Sequence, residues 1–160
     1  GLKGFLDENS DVTVFIPHSF PKSVKKMIIE KGAKFIRISE PRQIAPNIYT
    51  TGELYGPPME QALIIESAKG LLILTGCAHP GIVRIIRNAI EITNNDNIYL
   101  VIGGFHRPTI SVVDEFTKIG VKKVAPSHCT GDKVKNAFNR QYKDNYIEYG
   151  VGQVIVIGGN

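Results

Sequence analysis

Two rhythms of apolar and polar positions alternate along this chain. Aliphatic and β-branched runs of strand length recur at residues 12–16, 34–38, 44–50, 62–66, 71–75, 98–102, 121–125 and 153–157. Between them lie stretches with the spacing of half-buried helices. In the clearest of these, Ile82, Ile85, Ile86, Ala89 and Ile90 line one face, while Arg84, Arg87, Asn88 and Glu91 line the other. The same spacing predicts helices over 22–31, over 111–119 with Val112, Val113, Phe116 and Ile119 inward, and over 132–142 with Val134, Ala137 and Phe138 inward. Gly32, Gly120 and the Asn94-Asn95 pair are the expected stops. Ser67-Ala68-Lys69-Gly70 has the length and composition of a hairpin loop, so the runs on either side of it are expected to pair antiparallel. Strands alternating with helices argue for an α/β layered fold. The stretch from Glu53 to Glu60, with Gly56, Pro57 and Pro58, is the one irregular loop long enough to reshape a site.

The chain has 160 residues, 42% hydrophobic and 21% charged, which is the composition of an ordinary globular domain of single-domain length. Its net charge of +4 is scattered, with Lys25-Lys26 and Lys122-Lys123 as adjacent basic pairs and no continuous stripe, so a nucleic-acid partner is not expected. No apolar run approaches the ~20 residues that a bilayer span needs, and residues 1–10 do not read as a secretion signal. The two cysteines form no dense framework, so a reducing cytoplasm is the expected location.

The chemistry concentrates at three histidines in one recurring context, an apolar strand followed by small residues and then an imidazole. His79 ends Ile73-Leu74-Thr75-Gly76-Cys77-Ala78-His79, His106 ends Val101-Ile102-Gly103-Gly104-Phe105-His106, and His128 lies in Val124-Ala125-Pro126-Ser127-His128-Cys129. Strand ends in α/β sheets are where loops converge on a rigid frame, and glycine lets a backbone approach a ligand closely. Neutral imidazoles that meet there suit zinc, iron or manganese. A single such histidine is more often a hydrogen-bonded rim residue; three in matched positions argue for a site. His18, next to Pro17, is read as structural or rim-lining. Cys77 and Cys129 are read as small buried apolar residues, with thiolate ligation as the alternative. Thr130, Gly131 and Asp132 open a helix just after His128, where free amides could hold a phosphate. Gly150-Val151-Gly152 leaves no room for the helix that a dinucleotide site requires.

Thr75-Gly76-Cys77-Ala78-His79-Pro80-Gly81-Ile82, Ile102-Gly103-Gly104-Phe105-His106 and Pro126-Ser127-His128-Cys129-Thr130-Gly131 resemble, in order, the motifs of a metallo-β-lactamase-fold family often labelled dihydropterin-ribofuranosylaminobenzene phosphate synthase. Thr51-Gly52-Glu53 and the run from Gln61 to Glu66 also fit, so the resemblance covers essentially the whole chain. It implies an α/β fold, the back half of an αββα sandwich with a mixed sheet and helices on one face. Members carry an H-x-H-x-D-H metal motif in their front half, which this sequence lacks. Residues 1–160 are accordingly expected to form a single domain, the C-terminal portion of the fold, inactive alone and partnered by the missing N-terminal half.

By the same resemblance, His79 and His128 are implied metal ligands with Glu53 as a further one, and His106 acts in catalysis. Gly104, Cys129, Thr130 and Gly131 are expected to line the substrate. The cofactor implied is a divalent metal, zinc first, with manganese, iron or magnesium as alternatives. The reaction implied joins a ribofuranosyl-aminobenzene phosphate to a dihydropterin-methyl pyrophosphate and releases pyrophosphate, so the partner is a small phosphorylated or pterin-like substrate. Metal-dependent hydrolysis of an ester, amide or phosphoester is the alternative. A reading from another class treats the chain as a non-catalytic module whose sticky sheet face pairs with a partner half or with itself as a homo-oligomer.

Overall fold

A computed structural model describes residues 1–157, with the His128 side chain outside what is described. The chain opens with helix α1 (Leu2–Glu8) and strand β1 (Thr13–Pro17), followed by α2 (Lys22–Glu30) and β2 (Lys34–Ile38). β1 and β2 pair in parallel as a two-stranded sheet, with Thr13 opposite Lys34 and Pro17 opposite Ile38. Leu6, Ile16, Ile28 and Ala33 form this unit's own small core. An ion pair between Lys31 and Asp7 ties α2 to α1. The sequence pattern does not single out α1, because its apolar residues are too few to show a helical period.

The main sheet has six strands in the order β3-β4-β5-β6-β7-β8. They are β3 (Arg42–Ala45), β4 (Ile48–Thr50), β5 (Leu63–Ser67), β6 (Gly70–Thr75), β7 (Ile98–Gly104) and β8 (Lys123–Ser127). The first four are antiparallel, and β6, β7 and β8 run parallel. The single strand expected over 44–50 is in fact part of a hairpin. Pro46 has no amide hydrogen for a ladder, and Asn47 takes a left-handed φ of 61°, so the chain reverses between β3 and β4. The expected hairpin between β5 and β6 is present, with Ser67 paired to Gly70. The run 153–157 does not join the sheet as a strand; Ile155 and Ile157 lie against its surface.

Helices α3 (Ile82–Thr93), α4 (Val112–Ile119) and α5 (Asp132–Tyr142) cover one face of this sheet. α4 stops at Gly120 in a left-handed conformation and α3 at Asn94, as the sequence predicts. Their apolar faces meet Ile64, Leu71, Ile73, Ile98, Val101 and Val124, and Phe105, Phe116 and Phe138 pack with ring centroids 5.0–5.7 Å apart, the two contacts of Phe138 being edge to face. The opposite face carries Leu72, Leu100 and Ala125, against which Ile147, Tyr149, Ile155 and Ile157 pack. The small β1–β2 unit docks through Gln61, whose Nε2 donates to the Phe15 carbonyl at 2.8 Å. No helix among the described residues is long and apolar enough to cross a membrane.

Candidate functional site

Parallel pairing sets the C-terminal ends of β6, β7 and β8 side by side: Thr75 lies opposite Gly103, and Gly104 opposite Ser127. Neighbouring strands are about 4.8 Å apart, so the outer two ends are separated by about 10 Å. His79 leaves the first end, His106 the second and His128 the third, where its backbone begins a 3-10 turn, His128–Thr130. The imidazole rings of His79 and His106 are in contact, with centroids 4.1 Å apart and planes tilted by 46°.

This convergence rests on close backbone contact. Gly103 has a φ of +129°, and a Cβ there would lie 2.2 Å from the Thr75 carbonyl oxygen. A Cβ on Gly104 would lie 2.6 Å from the Gly76 oxygen and 2.9 Å from the Cys129 sulfur. In place of those side chains, Gly104 N–H donates to the Gly76 carbonyl at 2.9 Å and Thr75 Oγ1 donates to the Gly104 carbonyl at 3.1 Å. His106 and Arg107 then take consecutive left-handed conformations, with φ of 45° and 46°. For residues other than glycine each such conformation costs on the order of 1–2 kcal/mol, and strain of this kind gathers at functional sites. The turn it creates leaves His106 exposed beside His79.

His79 itself is held by a residue outside the expected set. Glu60 Oε1 is 2.6 Å from His79 Nδ1, and Glu60 Oε2 accepts the His79 backbone N–H at 2.9 Å. Both side chains are 18% exposed. Glu60, Cys77 and His79 each offer a ligand atom, all within 4.8 Å of one another, a mixed carboxylate, sulfur and imidazole set of the kind zinc and iron accept. With Nδ1 occupied by the carboxylate, His79 Nε2 is the nitrogen left for a cation, so the residues fit a divalent metal. Burial, together with the Cys129 thiol beside it, pushes the Cys77 thiol up from its ordinary value.

Of the other expected site residues, Glu53 is not brought to this cluster: its Oε1 accepts the Ser19 backbone N–H at 3.0 Å, joining the β1–β2 unit to the loop. Thr130 braces the turn after β8. It is 1% exposed, its hydroxyl donates to the Ser127 carbonyl at 2.7 Å, and it accepts Phe105 N–H at 3.1 Å. Cys129 has a similar part, accepting His106 N–H at 3.2 Å and donating to the Cys77 carbonyl at 3.5 Å. Gly104 is buried against the neighbouring strand end. Gly131 is exposed at the start of α5, with nothing within 4 Å of its Cβ position, and remains open to a ligand. The sign of Glu60 in the sequence is its place at the close of the irregular loop from Glu53, immediately before β5.

No family model matches the chain. It is 30% identical over 166 residues to the 7,8-dihydropterin-6-methyl-4-(β-D-ribofuranosyl)-aminobenzene-5'-phosphate synthase of Methanocaldococcus jannaschii, across 84% of this chain and 56% of that protein. The chain thus spans about half the length of this curated relative. Among solved structures it is similar to a crystal structure described as a metal-dependent hydrolase of the β-lactamase superfamily, with a TM-score of 0.79, 21% identity, and coverage of 96% of this chain and 74% of that one.

Proposed function

From the fold it shares with a protein of the β-lactamase superfamily, we propose that the chain is a member of the metallo-β-lactamase-fold superfamily and carries the strand-end half of a metal-dependent active site that joins a pterin-methyl pyrophosphate to a phosphorylated aminobenzene riboside. The observation that carries the reading is the contact between His79 and His106 at adjacent parallel strand ends, with His128 leaving the next. The name of the curated relative supports the transfer reaction. In this reading His79 Nε2 and the His128 imidazole hold a divalent cation, zinc first, which when bound supplies a Lewis acid for a pyrophosphate oxygen. His106 is exposed, with its ring against His79, and gives a proton to the phosphate oxygen that departs. In this reading backbone N–H groups at the start of α5, beside the exposed Gly131, hold a phosphate of the substrate. The short contacts of Thr130 and Cys129 keep β7 and the turn after β8 in register while this happens.

The test is zinc content by elemental analysis together with pyrophosphate release from the two named substrates, measured on the full-length protein. Wild type is expected to retain zinc and release pyrophosphate. His79→Ala and His128→Ala should lose the metal, whereas His106→Ala should keep it and turn over about 10²–10⁴-fold more slowly. A wild-type protein that holds no divalent metal and forms no pyrophosphate overturns the proposal.

A second reading, hydrolysis of an ester or phosphoester, is favoured by the description of the similar crystal structure. Release of phosphate or carboxylate from simple aryl esters, without the aminobenzene riboside, would select it.

A further inference from the structure

We infer that Glu60 is a positioning residue that acts on the site through His79 alone, fixing which ring nitrogen carries the hydrogen and where the other one points. A carboxylate oxygen accepts hydrogen bonds and has none to give, so at 2.6 Å from Glu60 Oε1 the His79 Nδ1 is the protonated nitrogen. In the neutral ring Nε2 then carries the free lone pair. The second carboxylate oxygen holds the His79 backbone N–H at 2.9 Å, so ring and main chain are gripped by one side chain.

The segment that delivers Glu60 is clamped onto the same turn. Leu54 and Glu60 exchange both backbone hydrogen bonds, at 2.7 and 3.1 Å, closing the loop between them. Gly56 sits against the His79–Pro80 peptide, where a Cβ would lie 2.8 Å from Pro80 N and 2.9 Å from the His79 carbonyl carbon. Arg84, on the first turn of α3, donates from Nη1 to the Tyr55 carbonyl at 3.2 Å. Three contacts from one short loop thus converge on the turn that carries His79, and Glu60 is the one that reaches its ring. With one oxygen on the His79 ring and the other on its backbone N–H, Glu60 is, of the three groups that offer a ligand atom here, the one engaged in holding another of them. The alternative, that Glu60 is itself a ligand with Cys77 and His79, would require the Nδ1 contact to break.

The inference rests on the proposed metal reading for its consequence, but the tautomer can be measured without metal. In metal-free full-length protein, long-range ¹H–¹⁵N correlation of the His79 ring is expected to show the Nδ1–H form. Glu60→Gln should raise the Nε2–H form, because the amide NH₂ can donate to Nδ1, and should weaken zinc binding about 10–100-fold. Glu60→Asp should keep the Nδ1–H form and recover part of the affinity; it also serves if the glutamine variant does not fold. With cobalt in place of zinc, the visible band envelope should be the same in wild type and in Glu60→Gln, since a positioning residue leaves the ligand count unchanged. An unchanged tautomer with zinc affinity within twofold of wild type overturns the inference, as does an altered cobalt envelope. A wild type that shows the Glu60-dependent tautomer yet binds no zinc supports the positioning of the ring and overturns the metal reading.

Discussion

At the ends of the parallel strands, single atoms decide whether a site exists. Gly103 is the strictest case: its φ of +129° and the 2.2 Å approach of the Thr75 oxygen to its Cβ position exclude any side chain. The obstacle is backbone, which cannot rotate away. Gly103→Ala should therefore destabilise the fold by about 2–3 kcal/mol and push β7 off β6, measured by urea unfolding. A cost near zero would mean that the two strand ends separate freely. His106 depends on the same approach, since its left-handed turn begins only two residues after the contact made by Gly104.

At the scale of elements, α5 carries an unusual group. The Tyr142 side chain packs with Phe138, at 5.8 Å between ring centroids, and its hydroxyl is buried without a hydrogen-bond partner among the described residues. Burial pushes this phenol up to about 12, with the nearby Thr117 hydroxyl acting in the opposite direction. In the unfolded chain the phenol ionises near its ordinary value of 10.0. The folded state thus holds its proton more tightly, and the associated stability is intact below pH 10 and lost as pH rises from about 10 to about 12. The loss is about 2.7 kcal/mol at most. Tyr142→Phe should remove this alkaline step and gain about 1 kcal/mol at neutral pH, because an unpaired hydroxyl leaves the interior. Thermal melts of both proteins at pH 8 and pH 11 would show it; parallel pH profiles would refute it.

Across the whole molecule, the two faces of the main sheet are covered in different ways. One is packed under three amphipathic helices; the other is covered over Leu72, Leu100 and Ala125 by residues 147–157. That covering segment is held by Ile147 N–H to the Val124 carbonyl at 2.8 Å and by Tyr149 to Ser127 at 2.8 Å between hydroxyls. A chain stopped after Tyr146 should keep its helical circular dichroism but bind a hydrophobic dye and self-associate, through newly exposed apolar surface. Unchanged dye binding would show that the segment contributes little cover. A cleft of about 520 Å³ lies where α1 and β1 meet the main sheet, lined by Phe5, Val14, Phe15, Ile44, Leu63 and Leu74 among others.

Periodicity and punctuation along the chain were enough to locate α3, α4 and α5, the β5–β6 hairpin and the three strand-end histidines, because these depend on neighbours within a few residues. The departures have equally local causes where they are local: Pro46-Asn47 breaks one apolar run into β3 and β4. Glu60 in place of Glu53 beside His79 has a different origin. Both glutamates belong to one irregular stretch without a period, and their directions are set by partners elsewhere, Ser19 for the one and the His79 turn for the other. The apolar run 153–157 likewise has strand composition but lies against the sheet without pairing. Which residues stand at strand ends could therefore be read from the order of amino acids. Which of those ends touch, and which carboxylate grips the imidazole, followed from the pairing order of the strands and the folding of one loop over another, since contacts between residues distant in the chain leave no period along it.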